Sequence, residues 1–308
     1  MSMSAVAAGS VRRSLRASHR DWAGVVFEVL LLLSLLFALV TLFVLLADVL
    51  TRSLPVFAER GVDFLTSSLS SRPEKAGVVQ GIVGTAITAV LVPLLAFPVG
   101  VLTAVYLEEY APDNRFTRLI TVNIRNLAGV PSVVYGLLGL AVFVAAFAAL
   151  GLGTGRNIVA GALTLAVLVL PLVIITATEA IRAVPSTIRE AGFGLGGSRW
   201  QVVQALILPS AAPGILTGMV LALSRALGET APLILAGAVL GSFSTGGSLR
   251  DLLAGPYTVL PIIVYDWARK PQVEFRELTS AAIVVLLVVT LFANAVAILL
   301  RNRYVREW

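Results

Sequence analysis

Six long apolar segments alternate with polar segments along the chain. Five of them contain no charged residue, and the segment 214–240 contains only Arg225 and Glu229. A helix of about 20 predominantly apolar residues is long enough to cross the hydrocarbon core of a bilayer. The pattern therefore predicts an all-α integral membrane protein with six transmembrane helices, at 29–47, 76–107, 126–155, 157–178, 214–240 and 278–300.

A seventh apolar segment, 252–265, differs from the other six in its length. It has fourteen residues and contains Pro256 and Pro261. This segment is too short to span a bilayer as a helix. We therefore predict that it forms an interfacial or re-entrant piece.

The polar residues between these segments predict the domain organisation and the topology. Residues 1–22 form a basic arm that we expect to be disordered, residues 23–50 contain the first transmembrane helix, and residues 76–303 contain the other five. Arginines are frequent in the arm and after the last helix, and loops rich in Arg and Lys remain on the cytoplasmic side of a membrane. Because six spans return the chain to its starting side, we predict that both termini are cytoplasmic.

Composition excludes several classes of function. Only 13% of the residues are charged, 58% are hydrophobic, and the mean hydropathy is +0.94. The chain has no cysteine and one histidine, which argues against metal sites, haem and a Ser-His-Asp triad, so we expect no cofactor and no metal. Neither lysine stands in a Gly-Lys-Ser/Thr phosphate-binding loop, so we do not expect the chain to hydrolyse ATP.

The net charge of +6 has a simple interpretation in a membrane protein. The basic residues are 21 arginines and two lysines, spread thinly between the apolar segments. Such residues lie at the membrane interface and contact lipid headgroups. We therefore predict contact with membrane lipid and no binding to nucleic acid.

The segment 185–209 is an unusual connection between two transmembrane helices. A first helical piece carries Glu190 and Ala191, Gly196 and Gly197 allow a close turn, and a second piece begins at Trp200. Because proline interrupts helices, we expect the second piece to end at Pro209. The topology places this segment on the cytoplasmic side, where another protein could approach it.

This segment resembles the cytoplasmic coupling loop of ABC importer permeases. Their motif begins with Glu-Ala-Ala, and a Gly follows four positions later. It ends with four consecutive positions, namely an aliphatic residue, any residue, Leu and Pro. The residues that agree with the motif are Glu190, Ala191, Gly196, Leu206, Leu208 and Pro209, and the one departure is Gly192 in place of the second Ala. The resemblance implies a type I ABC importer permease fold whose coupling helix binds a cytoplasmic ATPase. An amphipathic loop lying on lipid headgroups is the alternative, and it does not explain the whole spacing.

Two further segments resemble phosphate importer permeases. Residues 127–136 are similar to the start of their third helix, and residues 225–233 are similar to the fifth helix of PstA-type subunits. PstC-type subunits usually continue differently after Gly-Glu-Thr. The resemblance implies transport of inorganic phosphate across a bacterial or archaeal cell membrane. It also implies three kinds of partner, namely a second, PstC-like permease, PstB-like ATPase subunits and a PstS-like phosphate-binding protein.

Arg225 and Glu229 are the candidate residues of the substrate path. A charge near the middle of a membrane helix costs about 2.5–3.5 kcal/mol on insertion scales, so such residues face a bundle interior or a water-filled path. We place both on one small, polar stripe of the fifth helix with Gly218, Ala222 and Pro232. An arginine offers a planar set of donors to an oxyanion. A buried ion pair that only fixes helix packing is the structural alternative.

The sequence leaves a second class of function open. An ion-coupled anion transporter or channel could use Arg225 without ATP. The coupling motif argues against it, and so does the lack of a detectable inverted repeat, which many such transporters contain. A membrane-embedded hydrolase or transferase would have to work with one histidine and no cysteine, which we disfavour.

Overall fold

The structure is a computed structural model that describes residues 22–238 and 255–304. Within these residues the chain is helical and contains no β-strand. Six helices of the described part are long and apolar enough to cross a membrane. They are α1 (Trp22–Thr66), α2 (Val79–Tyr110), α4 (Ser132–Ala149), α5 (Ile158–Arg182), α7 (Arg199–Gly228) and α10 (Glu274–Tyr304). The predicted all-α membrane protein with six spans is confirmed.

Four shorter helices connect the long ones. They are α3 (Arg115–Leu127), α6 (Ser186–Gly194), α8 (Ala231–Leu235) and α9 (Leu260–Ala268). Most of the basic arm, the first residues of the segment 252–265 and the end of the C-terminal tail lie outside the described residues. The expectations of a disordered arm and of cytoplasmic termini therefore stay predictions.

The chain divides into two compact units, residues 1–51 and 52–308. The described part of the first unit, 22–51, is helical and rich in leucine. In the second unit, the last turns of α1 contain Gly61, whose positive φ of 45° interrupts regular helix geometry. The second unit contains all the other elements and both candidate sites.

The second unit is built around α2, α5 and α7. Small residues face these contacts, so the helix backbones come close together. A Cβ added at Gly100 of α2 would lie 2.6 Å from Val173 Cγ1 of α5, and one added at Gly214 of α7 would lie 2.7 Å from Ala180 Cβ of α5. Neither position has space for a side chain, so glycine determines how closely α5 approaches its two neighbours.

The segment that precedes α9 enters this bundle as irregular backbone. Tyr257, Thr258 and Val259 are buried, and the Leu260 N–H donates a hydrogen bond to Thr85 Oγ1 of α2 at 2.9 Å. Gly84 of α2 lies directly against the Thr258 carbonyl group. Non-helical backbone at membrane depth is tolerated where protein covers it. The described part of the segment 252–265 forms no helix long enough to span a membrane, and it packs into the core. Its interfacial or re-entrant position stays a prediction.

The bounds of α7 correct two predictions. The helix does not stop at Pro209, because residues 203–207 form a wide π-helical turn closed by the Leu208 N–H and the Val203 carbonyl. This turn removes the regular geometry in which the proline ring would clash with the carbonyl of residue 205. At its other end α7 stops at Gly228, not at residue 240, and Glu229 is extended with φ of −82° and ψ of 124°.

Candidate functional site

The connection between α6 and α7 is tightly organised by backbone hydrogen bonds. After α6 ends, the Gly197 N–H donates to the Gly192 carbonyl at 3.2 Å and the Gly196 N–H donates to the Phe193 carbonyl at 2.9 Å. Gly196 has a positive φ of 81°. This pair of bonds with a left-handed residue is the Schellman motif, which ends a helix abruptly. Ser198 then begins α7 with a reciprocal capping box to Gln201.

Gly192, the one departure from the coupling motif, is buried between the two helices. An added Cβ would lie 2.8 Å from Leu206 Cδ1 and 2.9 Å from Val202 Cγ2. Both of these side chains belong to α7, so α6 packs directly on the first turns of the next helix. The glycine therefore allows a closer approach than the alanine of the motif would.

The outer surface of this connection is apolar and exposed. Leu195 is 90% exposed, and Phe193 and Trp200 are also exposed. Glu190 and Ala191 lie on the exposed side of α6. Exposed apolar groups in one patch are typical of a protein interaction surface. We name this patch, which consists of Glu190, Ala191, Phe193, Leu195 and Trp200, the α6 surface.

The other predicted coupling residues lie outside the α6 surface. Gly196 has nothing within 4 Å of an added Cβ, so close packing does not require a glycine there. Its glycine is needed for the positive φ instead. Leu208 is half-buried against the apolar cluster at this end of the bundle, and Pro209 is exposed on α7. Both residues belong to α7 and lie outside the α6 surface.

Arg189 is the residue that joins α6 to the membrane helices. Its Nε and Nη2 donate to Glu109 Oε1 at 3.1 and 3.0 Å. Its Nη1 donates to the Val184 carbonyl at 2.6 Å, and Nη2 donates to the Ile181 carbonyl at 2.8 Å. The Glu109 side chain is only 8% exposed and that of Arg189 23%. Sequence reasoning missed this pair because its members are 80 residues apart.

Glu109 belongs to a short acidic turn that ends α2. Residues 106–110 form a π-helical turn, closed by the Ala111 N–H and the Tyr106 carbonyl. Two further arginines lie at the rim of this turn. Arg182 pairs with Glu108 through an exposed guanidinium, and the Arg199 guanidinium lies 5.5 Å from the centre of the Tyr110 ring. The only sequence signal was the pair of glutamates that ends an otherwise apolar run.

The predicted ion pair lies at the opposite end of α7. Arg225 Nε is 3.6 Å from Glu229 Oε1, and the two side chains are 41% and 22% exposed within this chain. The pair is therefore loose and partly open. The predicted stripe is not one continuous surface, because Gly218 and Ala222 are buried in the core whereas Arg225 is exposed. Glu229 and Pro232 cannot continue a stripe of α7, since this helix ends at Gly228.

Comparison with known protein families identifies the family of this chain. The family described as "Binding-protein-dependent transport system inner membrane component" matches residues 96–306. The chain belongs to this family. It is therefore a multi-pass membrane component of a transport system, and the matched range includes α6, Arg189 and Arg225.

The relatives of this transport component include named phosphate permeases. The phosphate transport system permease protein PstA 1 of Mycobacterium tuberculosis strain H37Rv is 35% identical over 72% of this chain and 69% of its own length. PstA of Mycobacterium leprae is 34% identical over 83% of this chain and 81% of its own. A probable PstA of Methanocaldococcus jannaschii is 29% identical over 83% and 85%. The predicted resemblance to PstA-type subunits is confirmed.

Solved structures support the fold of this transport component. A chain of the MetNI methionine ABC transporter aligns with a TM-score of 0.59 and 16% identity, covering 74% of this chain and 96% of that one. A chain of a bacterial alginate ABC transporter aligns with a TM-score of 0.57 and 18% identity, covering 89% and 96%. The predicted type I ABC importer permease fold is confirmed.

The turn after α6 gives a first prediction. In Gly196→Ala the new side chain has space, but the left-handed backbone costs about 1–2 kcal/mol for an L-residue. We expect the 196 and 197 amides to exchange hydrogen about five to thirty times faster, measured by mass spectrometry on peptides covering 192–203. Gly194→Ala is the matched control, because its Cβ also has open space and its φ is not positive. Equal protection in the two variants would contradict this account of the turn.

Proposed function

We propose that the chain is the transmembrane permease subunit of an ATP-driven ABC importer for inorganic phosphate. The observation that supports phosphate as the substrate is the similarity to named phosphate permeases, which align over most of the length of this chain. The exposed α6 surface, at the position of the coupling motif, supports attachment to an ATPase. The chain itself is non-catalytic in this proposal, and ATP is hydrolysed on partner subunits.

The proposed complex contains three further kinds of subunit. A second, PstC-like permease completes the translocation path, of which this chain forms half. PstB-like ATPase subunits bind at the α6 surface, and a PstS-like phosphate-binding protein delivers the anion on the other side of the membrane. Membership in a binding-protein-dependent transport family supports the presence of such a delivery protein.

The coupling residues divide into two groups in this proposal. Glu190 and Ala191 contact the ATPase directly, because they lie on the exposed side of α6. Gly196, Leu208 and Pro209 fix the geometry of the connection between α6 and α7. The departure at Gly192 keeps α6 pressed against α7, so both helices move together.

Arg225 and Glu229 are the proposed residues of the substrate path. Arg225 is exposed within this chain, and in this proposal its exposed side faces the second permease subunit. Its guanidinium offers several donors in one plane to a phosphate oxyanion. Glu229, 3.6 Å away, neutralises the arginine between transport events.

Topology gives the second prediction. We propose that both termini and the α6 surface are cytoplasmic, so the turn at Glu74 is on the outer side. In intact cells an impermeant maleimide should label Glu74→Cys and not Asn302→Cys. Both positions are exposed, and the native chain has no cysteine that could react. Labelling of Asn302→Cys from outside would overturn the proposed orientation.

Attachment of the ATPase gives the third prediction. Glu190→Trp changes an exposed residue of the α6 surface, so insertion and folding should not change. Loss of a central interface residue costs about 2 kcal/mol or more, so we expect at least about tenfold less ATPase to co-purify in mild detergent. Glu74→Trp, at the other end of the bundle, is the control. Co-purification at the wild-type level in Glu190→Trp would argue against docking at this surface.

The path residues give the fourth prediction. Arg225→Gln should reduce phosphate uptake per assembled complex at least about tenfold, because glutamine lacks the charge and the planar donors. Glu229→Gln should reduce phosphate uptake less than Arg225→Gln does. If the pair only fixes packing, each single variant would lower assembly, while the double variant would restore assembly and transport. Near-normal uptake by the double variant would therefore remove Arg225 from the substrate path.

A further inference from the structure

Helix α6 is held to its own chain on two sides. On one side Gly192 allows close packing on Val202 and Leu206 of α7, and the Schellman turn fixes the connection. On the other side Ile188 packs against an apolar cluster formed by the ends of α2, α5 and α7. These apolar contacts keep α6 in place, but apolar contacts by themselves set no preferred direction for α6 relative to α2 and α5.

The polar contact of Arg189 supplies that direction. Its guanidinium lies in one plane and contacts α2 through Glu109, the end of α5 through the Ile181 carbonyl, and the connection after α5 through the Val184 carbonyl. The last carbonyls of a helix have no partner within it, and a cation there is favourable. Charged hydrogen bonds in a poorly hydrated position are also shorter and stronger than neutral ones. A single side chain thus joins three helices in a fixed geometry.

We infer that the Arg189–Glu109 pair is the rigid link through which movement of α6 reaches α2 and α5. The inference rests on the proposed function, in which a bound ATPase moves α6. A nine-residue helix attached only by apolar contacts could tilt on the bundle and absorb this movement. The ionic link prevents the tilt, so α2 and α5 must follow. Both residues are therefore positioning residues for transport, and neither contacts the transported anion.

The test compares two glutamates of the same turn in the complete complex, reconstituted in proteoliposomes. Glu109→Gln removes the charge of the less exposed pair and keeps its shape, whereas Glu108→Gln removes a pair whose arginine, Arg182, is 53% exposed. We measure co-purifying ATPase, ATP hydrolysis and phosphate uptake. The Gln amide oxygen can still accept from Arg189, so we expect Glu109→Gln to retain bound ATPase and ATP hydrolysis within about twofold. The hydrogen bond loses its charged acceptor and becomes weaker, so we expect the phosphate transported per ATP to fall at least fivefold. Glu108→Gln should remain within about twofold in all three measurements.

A covalent replacement of the link provides the rescue. The native chain has no cysteine, so Glu109→Cys with Arg189→Cys can be bridged by a bifunctional thiol reagent in a complex whose partners carry no reactive thiol. Phosphate transported per ATP should recover at least threefold after bridging. A monofunctional reagent of the same chemistry should give no recovery.

A purely structural role predicts a different result. Glu109→Gln would then lower the amount of assembled complex and leave the transport per ATP unchanged, which would overturn the inference. Failure of bridging to restore transport per ATP would overturn it as well.

A further readout separates this inference from the choice of phosphate as substrate. Gly228→Cys is exposed at the far end of α7, and its maleimide labelling is compared with ADP and with ATP plus vanadate. If the wild-type complex hydrolyses ATP but takes up no phosphate, the proposed substrate fails. The inferred Arg189–Glu109 link makes a prediction even then. In the wild-type complex the labelling rate of Gly228→Cys should depend on the nucleotide, and Glu109→Gln should abolish this dependence. An equal nucleotide effect in the two proteins, or none in the wild type, would overturn the link.

Discussion

The close approach of α5 to α2 and α7 is the constraint on which the rest of the structure depends. Helices in a bilayer gain little from the hydrophobic effect against each other and associate through close packing of small residues. Gly100 lies against Val173, and Gly218 lies against Thr176. These contacts leave no space for a larger side chain. They fix the axis and the depth of α7, and both candidate sites are attached to that helix.

Helix α7 physically connects the two sites. It begins directly after α6 and ends next to Arg225, and its 30 residues correspond to about 45 Å. The π-helical turn allows it to continue through Pro209, so no break separates the proposed coupling end from the proposed substrate path. At the first end, Arg189 also ties α6 to α2 and α5. In this account movement at the α6 surface is shared by three helices and arrives at the residues that would contact the anion.

The sequence predicts the parts of this structure that depend on local composition. Six apolar runs predict six helices, and the short run with Pro256 and Pro261 predicts a segment that does not span. The missed features depend on tertiary contacts or on backbone geometry. The Arg189–Glu109 pair joins residues 80 positions apart, and the role of Gly196 lies in its positive φ, which spacing alone does not distinguish from a steric requirement. The end of α7 at Gly228 was missed because the apolar run continues beyond it.

ATP-dependent phosphate uptake into proteoliposomes tests the central claim most directly. The vesicles contain this chain with its co-purifying permease and ATPase subunits, ATP is enclosed, and labelled phosphate with the binding protein is added outside. The account predicts accumulation that requires ATP and the binding protein together. Uptake driven by an ion gradient without ATP would contradict it and would indicate an autonomous anion transporter.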